Sequence, residues 1–128
     1  MPITTKKSIK EDLTEHVVTG EVFDKEMFEC EKQFYDSGPT NLQLWDMSAA
    51  KLTNITIEGM RQFMARSARL GKIRSSGRTA VVVKSQLQYG LGRVGETFGE
   101  FESLPYSFRL FKDRNKALEW LKRKSSDD

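Results

Sequence analysis

The sequence has very little of the residues that build metal and covalent sites. Among its 128 residues there is one cysteine, Cys30, and one histidine, His16. A single cysteine excludes an internal disulfide framework and fits a reducing, cytoplasmic location. Together the two residues cannot supply the roughly four nitrogen and sulfur ligands of a structural zinc site. We therefore expect a cytoplasmic protein without a metal or a cofactor.

Catalytic patterns are missing as well. One histidine and one cysteine leave no Ser/His/Asp or Cys/His order for nucleophilic catalysis, and there is no P-loop. No recognition-helix or RNA-binding motif occurs, and bases interleaved with aromatics are sparse. The sequence therefore predicts a protein that is not an enzyme and does not bind nucleic acid. Cys30, flanked by Glu29 and Glu31, is expected to be a small buried apolar residue.

Long apolar runs are also absent. No stretch reaches the roughly 20 apolar residues that span a bilayer, and the N-terminal lysines are not followed by the apolar segment of a signal peptide. With 38% hydrophobic and 30% charged residues, the composition fits one core with a wet surface. We expect a single domain over residues 1–128, with a disordered tail at 125–128.

Acidic residues are missing from Gly59 to Gly95, whereas nine occur between Glu11 and Asp36. One interpretation is that the acidic and basic segments face each other, within one chain or across a dimer. The other is a site for an anion, namely a phosphate, a nucleic acid or a lipid headgroup. The candidate anion contacts are Arg61, Arg66, Arg69, Lys72, Arg74 and Arg78.

The most informative stretch runs from Thr79 to Phe101. Its first residues, 79–83, form a β-branched and apolar run that is typical of a strand buried on both faces of a parallel sheet. Apolar residues then recur at helical spacing, which predicts a helix with a buried face made of Leu87, Leu91, Val94 and Phe98. This helix contains four glycines, each of which costs about 1 kcal/mol relative to alanine.

The glycines include a literal match to G-x-G-x-x-G at residues 90–95. We reject it as a dinucleotide motif, because that motif opens a helix directly after a strand and this one lies inside the helix. Gly92, Gly95 and Gly99 instead form a stripe that permits a close approach. Either another part of the protein or a flat apolar ligand would lie against this stripe, beside Tyr89 and Arg93.

The remaining chain alternates between strands and helices. Asp46 follows a predicted strand, where it either caps the next turn, at 47–50, or lies at a ligand-binding edge. Thr56 is the expected N-cap of the second long helix, whose buried face includes Met60, Phe63 and Met64. The order β-β-α-β-α-β-α-β-α predicts an α/β fold, in which about five strands form a mixed, mainly parallel sheet with four helices.

These elements together resemble the SpoIIAA-like group of STAS/SEC14-type bacterial proteins. The resemblance rests on the hairpin start, on Leu44-Trp45-Asp46, on Thr56-Ile57-Glu58-Gly59, and on the strand and helix from Ala80 to Arg93. The closing strand at 108–111 and helix at 117–121 also fit. The resemblance covers nearly the whole chain and implies a fold like that of the anti-sigma factor antagonists.

The resemblance also suggests functions. The antagonists are switched by phosphorylation of a serine, which lies in an Asp-Ser pair at the start of the helix after the third strand. Asn54-Ile55 matches that pair here, so isoleucine replaces the serine that accepts the phosphate. Thr56 is the nearest residue with a hydroxyl group. The resemblance to SEC14-type proteins implies an apolar pocket whose walls are Met60, Phe63, Met64 and the glycine stripe.

We expect a binding or regulatory module that contacts a protein partner or forms a homodimer. The alternatives are a carrier of a small lipid-like ligand and a phosphorylation switch at Thr56.

Overall fold

Five strands form one sheet in the order β1-β2-β3-β4-β5 in the computed structural model, which describes residues 2–74 and 76–123. The β1–β2 pair is antiparallel, and the other three pairs are parallel. The expected disordered tail at 125–128 lies outside the described residues. The strands are β1 (Ile3–Ser8), β2 (Leu13–Glu21), β3 (Leu42–Lys51), β4 (Arg78–Val82) and β5 (Ser107–Phe111). The helices are α1 (Asp24–Asp36), α2 (Ile57–Leu70), α3 (Gln86–Glu102) and α4 (Arg114–Lys122).

Helices cover both faces of this sheet. The helices α1, α2 and α3 lie on one face, where Met27, Phe63 and Leu91 pack against the buried cluster around Trp45 and Met47. On the other face α4 packs Ala117, Trp120 and Leu121 against Leu44, Ala80 and Val82. Because the parallel strands β2, β3 and β4 are each followed by one of the first three helices, α1, α2 and α3 all start at the same edge of the sheet. The predicted α/β architecture is confirmed.

The predicted N-cap of α2 is confirmed, and other helix ends are capped in similar ways. The Thr56 hydroxyl accepts a hydrogen bond from Gly59 N at 2.8 Å, as expected of an N-cap. Asp113 caps α4 in the same way through Asn115 N at 2.8 Å. Gly38 after α1 has φ +90°, a conformation that glycine adopts without strain. At the start of α1, Phe23 is the N-cap and Asp24 is the first helical residue.

The third strand is longer than its sequence predicts. The sequence indicates a turn at 47–50, but β3 continues to Lys51. The pairing of β2 with β3 shifts register between Val17 and Thr19, which is the sign of a bulge. At this bulge the Asp46 carboxylate accepts hydrogen bonds from Ser48 N at 3.1 Å and Ser48 Oγ at 2.6 Å. The capping interaction of Asp46 therefore exists, but it stabilises a bulged strand and not a turn.

The buried face of α3 is also different from the prediction. Leu87 is 52% exposed, and the buried residues of α3 are Gln88, Gly95 and Gly99. A Cβ at Gly92 would lie 3.0 Å from Leu110 Cδ2, one at Gly95 would lie 3.4 Å from Met60 Sδ, and one at Gly99 would lie 2.7 Å from Leu104 Cδ1. The glycine stripe is thus the packed face of α3, because only a helix without side chains can come this close to its neighbours.

Candidate functional site

Two small cavities lie between the sheet and the three helices α1, α2 and α3. The first, the helix-start cavity, holds about 100 Å³ and is bordered by the first turns of the helices, including Asp24, Gly59 and Gln88. The second, the Glu31 cavity, holds about 110 Å³ and lies deeper along α2, beside Glu31 and Met64. They share apolar walls that are formed by Met27, Met47, Met60, Phe63 and Val81.

Several predicted site residues meet at these cavities. Met60 and Phe63 border both of them, Gly92 borders the first, and Met64 and Gly95 border the second. Gly99, the third glycine of the stripe, lines neither of these two cavities and lies against Leu104 and Met64. The apolar part of the predicted ligand surface is therefore assembled by the fold around two spaces of small-molecule size.

A buried carboxylate forms the polar end of the Glu31 cavity. Glu31 is 2% exposed, and its Oε2 accepts a short hydrogen bond from the hydroxyl of Ser67 on α2. No group in residues 2–74 and 76–123 donates a hydrogen bond to its other oxygen, Oε1. The nearest cation is Arg66, whose Nε lies 3.8 Å from Oε1, beyond hydrogen-bond distance. Among the described residues this oxygen is thus a buried acceptor that receives no hydrogen bond.

Burial has a large effect on this carboxyl group. It raises the pKa of Glu31 from 4.5 to about 7, against the opposing effects of the Ser67 hydrogen bond and of Arg66, Arg69 and Arg74. Burial raises the pKa of the neighbouring Tyr106 phenol as well. Near neutral pH the Glu31 carboxyl therefore exists in both its protonated and its ionised form.

Two of the candidate anion contacts are structural. The guanidinium of Arg74 is 1% exposed and donates to the backbone oxygens of Thr40 at 3.1 Å and Asn41 at 2.8 Å. It also lies over the Tyr106 ring, 4.5 Å from the centroid. Arg78 is 5% exposed and donates to Trp120 O at 2.7 Å. Buried guanidinium groups bonded to backbone oxygens do not offer a surface for anions, so for these two residues the expected role does not fit the structure.

The other predicted bases do not form one cluster. Arg61 is exposed and pairs with Glu58 on its own helix. Arg66 pairs with Glu31 and stacks over Phe28, with 5.2 Å between the guanidinium carbon and the ring centroid. Arg69 and Lys72 are exposed. From the acidic segment Glu31 faces Arg66, whereas Glu11 and Glu15 pair with Lys122 and Arg114 of α4, outside the basic segment.

The remaining predicted site residues lie apart from the cavities. Asp46 faces α4, where its Oδ2 pairs with Arg114 Nη1 at 3.0 Å. On α3, Arg93 donates to the Tyr89 hydroxyl at 3.3 Å and pairs with Glu96 at 3.1 Å. These contacts account for the three side chains as parts of local surface networks.

The fold places the single histidine beside the single cysteine, which the sequence did not indicate. Cys30 Sγ lies 3.3 Å from His16 Nδ1, and Thr5 Oγ1 lies 2.9 Å from the same nitrogen. Burial, with a smaller effect from Arg74, lowers the pKa of His16 to about 4, and burial raises the pKa of Cys30 to about 11. A neutral thiol beside a neutral imidazole lacks the thiolate that nucleophilic catalysis needs.

A separate apolar surface lies where the three helices start. Phe23, Ile57 and Leu87 are 50%, 52% and 52% exposed and belong to the starts of α1, α2 and α3 respectively. We call these three residues the helix-start surface. Thr56 lies between α1 and α2 here, and its hydroxyl donates to Asp24 Oδ2 at 2.6 Å. The helix-start cavity, which the first turns of all three helices border, shows that these helix ends are neighbours.

Sequence reasoning missed Glu31, and one signal pointed to it. Met27, Glu31 and Phe34 follow helical spacing, so the carboxylate falls on the apolar face of α1.

In the described part of the chain no group of three or more acidic, histidine or cysteine side chains is placed to hold a metal ion. No described helix has the length and apolarity needed to cross a membrane.

Comparison with solved structures places this architecture among known ones. An uncharacterised protein of the DUF3478 family from Shewanella loihica PV-4, with a SpoIIAA-like fold, superposes with a TM-score of 0.60 at 19% identity, over 93% of this chain and 91% of that chain. An anti-sigma factor antagonist from Mycobacterium paratuberculosis superposes with a TM-score of 0.61 at 18% identity, over 94% of this chain and 93% of that chain.

Sequence comparison adds nothing to these two likenesses. No protein-family model matches the chain. No curated protein matches it by sequence either. At identities below 20%, the structural likeness shows the fold alone. The protein therefore has the SpoIIAA-like fold that its strand, helix and glycine patterns resemble.

Proposed function

We propose that this protein is a non-catalytic regulatory module that acts in the cytoplasm by binding a protein partner. The observation that carries the proposal is the helix-start surface, with half-exposed Phe23, Ile57 and Leu87 at the starts of three neighbouring helices. The three helices start at the same edge of the sheet, and exposed apolar side chains that form a contiguous patch mark interaction sites. Each of the three would lose contact with water when a partner binds.

Two further observations support a protein partner. One solved structure with this fold is an anti-sigma factor antagonist, a class whose name implies action on another protein. The helix-start surface also lies on rigid elements, because the Asp24–Thr56 hydrogen bonds hold the starts of α1 and α2 together. A preformed surface loses little conformational entropy when it binds.

Site-specific photo-crosslinking in cells tests this proposal. A photoreactive amino acid replaces Ile57 in one variant and Ile9 in another. Ile9 is a matched control, since it is an 83% exposed isoleucine in the β1–β2 turn, at the edge of the sheet opposite to the helix starts. We expect a defined protein adduct at position 57 that is absent at position 9 and is lost when Leu87→Asp is added.

The mass of the adduct identifies the partner. An adduct of twice the 14.7 kDa chain mass indicates a second copy of this chain, and any other single mass indicates a different protein. The proposal fails if position 57 gives no adduct or gives the same adducts as position 9.

A second candidate function is a switch controlled by phosphorylation of Thr56. The observation that favours it is the exposed position of Thr56 beside the helix-start surface, with its hydroxyl bonded to the Asp24 carboxylate. A phosphate on this oxygen would repel the carboxylate and separate the starts of α1 and α2. Mass spectrometry of the protein from its native cells should then show one phosphate that Thr56→Ala removes, and its absence under all growth conditions would exclude the switch.

A further inference from the structure

We propose that the Glu31 cavity is a binding site for a small, neutral and mostly apolar molecule that carries one hydroxyl group, such as a phenol or a short-chain alcohol. The hydroxyl would donate its hydrogen bond to Glu31 Oε1. This site lies under the helices and is distinct from the helix-start surface, so the failure of either proposal leaves the other standing.

The first reason is that Glu31 Oε1 lacks a hydrogen bond among the described residues, since Arg66 Nε lies 3.8 Å away. The Glu31 side chain is 3% exposed. Buried polar atoms in folded proteins are nearly always bonded, and an exception needs an explanation such as a bound molecule. Because Glu31 borders the cavity, a donor bound there would complete its hydrogen bonding.

The walls of the cavity are the second reason. Apart from Glu31 the cavity is lined mainly by apolar side chains, among them Trp45, Met60, Phe63 and Met64. Its volume is about 110 Å³, and the helix-start cavity adds about 100 Å³ behind shared walls. An apolar cavity of roughly 150 Å³ holds a benzene molecule in another protein. Methionine side chains adapt their shape easily, so the two spaces can merge around a ligand of this size.

The charges at this site disfavour a charged ligand, because an anion would meet the Glu31 carboxylate and a cation would meet the arginines around it. Arg66, Arg69 and Arg74 all act on this carboxyl group, so an ammonium ligand would meet several positive charges. The other polar groups at the cavity are uncharged or barely ionised: Gln43, Ser67, Thr79 and Tyr106, whose pKa is raised by burial. A hydroxyl group suits Glu31 in both protonation forms, because it can donate to the carboxylate and accept from the protonated acid.

The size of the site also narrows the class of ligand. A space of about 110 Å³ suits a compact molecule of a few carbon atoms, and a single ring fits when the two cavities merge. The sequence suggested a small lipid-like ligand, and the size of the cavity narrows this class to small compounds with one hydroxyl group.

Titration of the folded protein with two matched probes tests the proposal. Phenol and toluene have the same number of heavy atoms, but only phenol has a donor. With the methionine methyl groups labelled with carbon-13, NMR follows binding at Met27, Met47, Met60 and Met64, which all border the cavities. We expect phenol to bind at least tenfold more tightly than toluene. We also expect nuclear Overhauser effects between the phenol ring and the methyl group of Met64, which borders the Glu31 cavity and not the helix-start cavity.

Two variants assign the preference to Glu31. Glu31→Leu should bind phenol and toluene within about twofold of each other, whereas Glu29→Leu, at an exposed position of the same helix, should keep the tenfold preference. If Glu31→Leu does not fold, the Overhauser contacts and the two affinities in the unaltered protein still decide the question. The proposal is overturned if neither probe shifts the methionine signals, if both bind equally in the unaltered protein, or if a folded Glu31→Leu keeps the preference.

Discussion

The carboxylate of Asp24 joins the start of α1 to the start of α2 through Thr56. Asp24 Oδ1 accepts from Thr56 N at 3.1 Å, and Oδ2 accepts from Thr56 Oγ1 at 2.6 Å. The carboxylate lies directly over Gly59, where an added Cβ would be 2.3 Å from Asp24 Cγ. Gly59 is therefore needed for the close approach of α1 to α2.

Gly59→Ala should destabilise the protein by about 1–3 kcal/mol, because the new methyl group must displace the Asp24 carboxylate and break its bonds to Thr56. Gly90→Ala is the matched control, since a Cβ at Gly90 meets nothing within 4 Å. The control should gain about 0.5–1 kcal/mol from the better helix propensity of alanine. Urea unfolding measures both changes, and a stabilised Gly59→Ala variant would contradict the close contact with Asp24.

The cap of α2 gives a second prediction. Thr56→Val keeps the shape of the side chain but loses the acceptor for Gly59 N and the donor to Asp24, so the free energy of unfolding should fall by about 1–2 kcal/mol. Thr56→Ser retains both hydrogen bonds and should change it by less than about 0.5 kcal/mol. Chemical denaturation of the three proteins side by side checks this order. Equal losses in the valine and serine variants would mean that the hydroxyl group is unimportant.

Glu31 and His16 should give the stability a characteristic pH dependence. The pKa of Glu31 rises from 4.5 to about 7 in the folded state, so its contribution is complete below pH 4.5 and is lost as the pH rises toward 7. The pKa of His16 falls from 6.5 to about 4, so its contribution is present above pH 6.5 and is lost as the pH falls toward 4. Between these limits the two effects oppose each other and should nearly cancel.

Replacing either Glu31 or His16 should reveal the pH dependence of stability that the other residue causes. In Glu31→Gln the His16 effect remains, so on acidification from pH 6.5 to 4.5 this variant should lose about 2–3 kcal/mol more stability than the unaltered protein. In His16→Asn the Glu31 effect remains, and acidification should be more favourable than in the unaltered protein by a similar amount. Urea unfolding at three pH values measures these differences. Parallel curves for all three proteins would show that neither group is perturbed by folding.

Cys30 should react slowly despite its contact with His16. With a pKa of about 11, against an ordinary 9.0, its thiolate is about 100-fold rarer at pH 8. Alkylation by iodoacetamide should therefore be about 100-fold slower than for Ile9→Cys in a Cys30→Ser background, where the thiol is exposed. The labelling rate of Cys30 should rise about tenfold for each pH unit. Rapid labelling at neutral pH would show that His16 activates the thiol.

Much of the fold is predictable from local pattern. The buried strand before Val83 and the capping residue Thr56 both have the structural role that the sequence predicts. The prediction was wrong for the turn at 47–50, because a bulge arises from pairing with β2, which a local pattern does not contain. It was wrong in part for α3: Leu91 packs against the core as predicted, but Leu87 is exposed and Gly95 and Gly99 are buried.

The candidate site was less predictable than the fold. Met60, Phe63 and Met64 follow helical spacing, so their common face is evident from the sequence. The burial of Glu31 is not evident from the sequence, because a carboxylate on an amphipathic helix is normally exposed to water. Arg74 and Arg78 look like surface bases in the sequence, because nothing local shows that backbone oxygens of distant residues bind them.

The sequence by itself determined the order of strands and helices, most of the helix ends and the glycine stripe, because these depend on backbone propensity and on spacing within a few residues. Only the tertiary structure decided what the stripe contacts, which charged side chains are buried, and where the unpartnered oxygen of Glu31 lies. These properties depend on residues that are distant in sequence, such as Glu31 and Ser67. Contacts of this kind, such as the Ser67–Glu31 hydrogen bond, form only when the helices pack on the sheet.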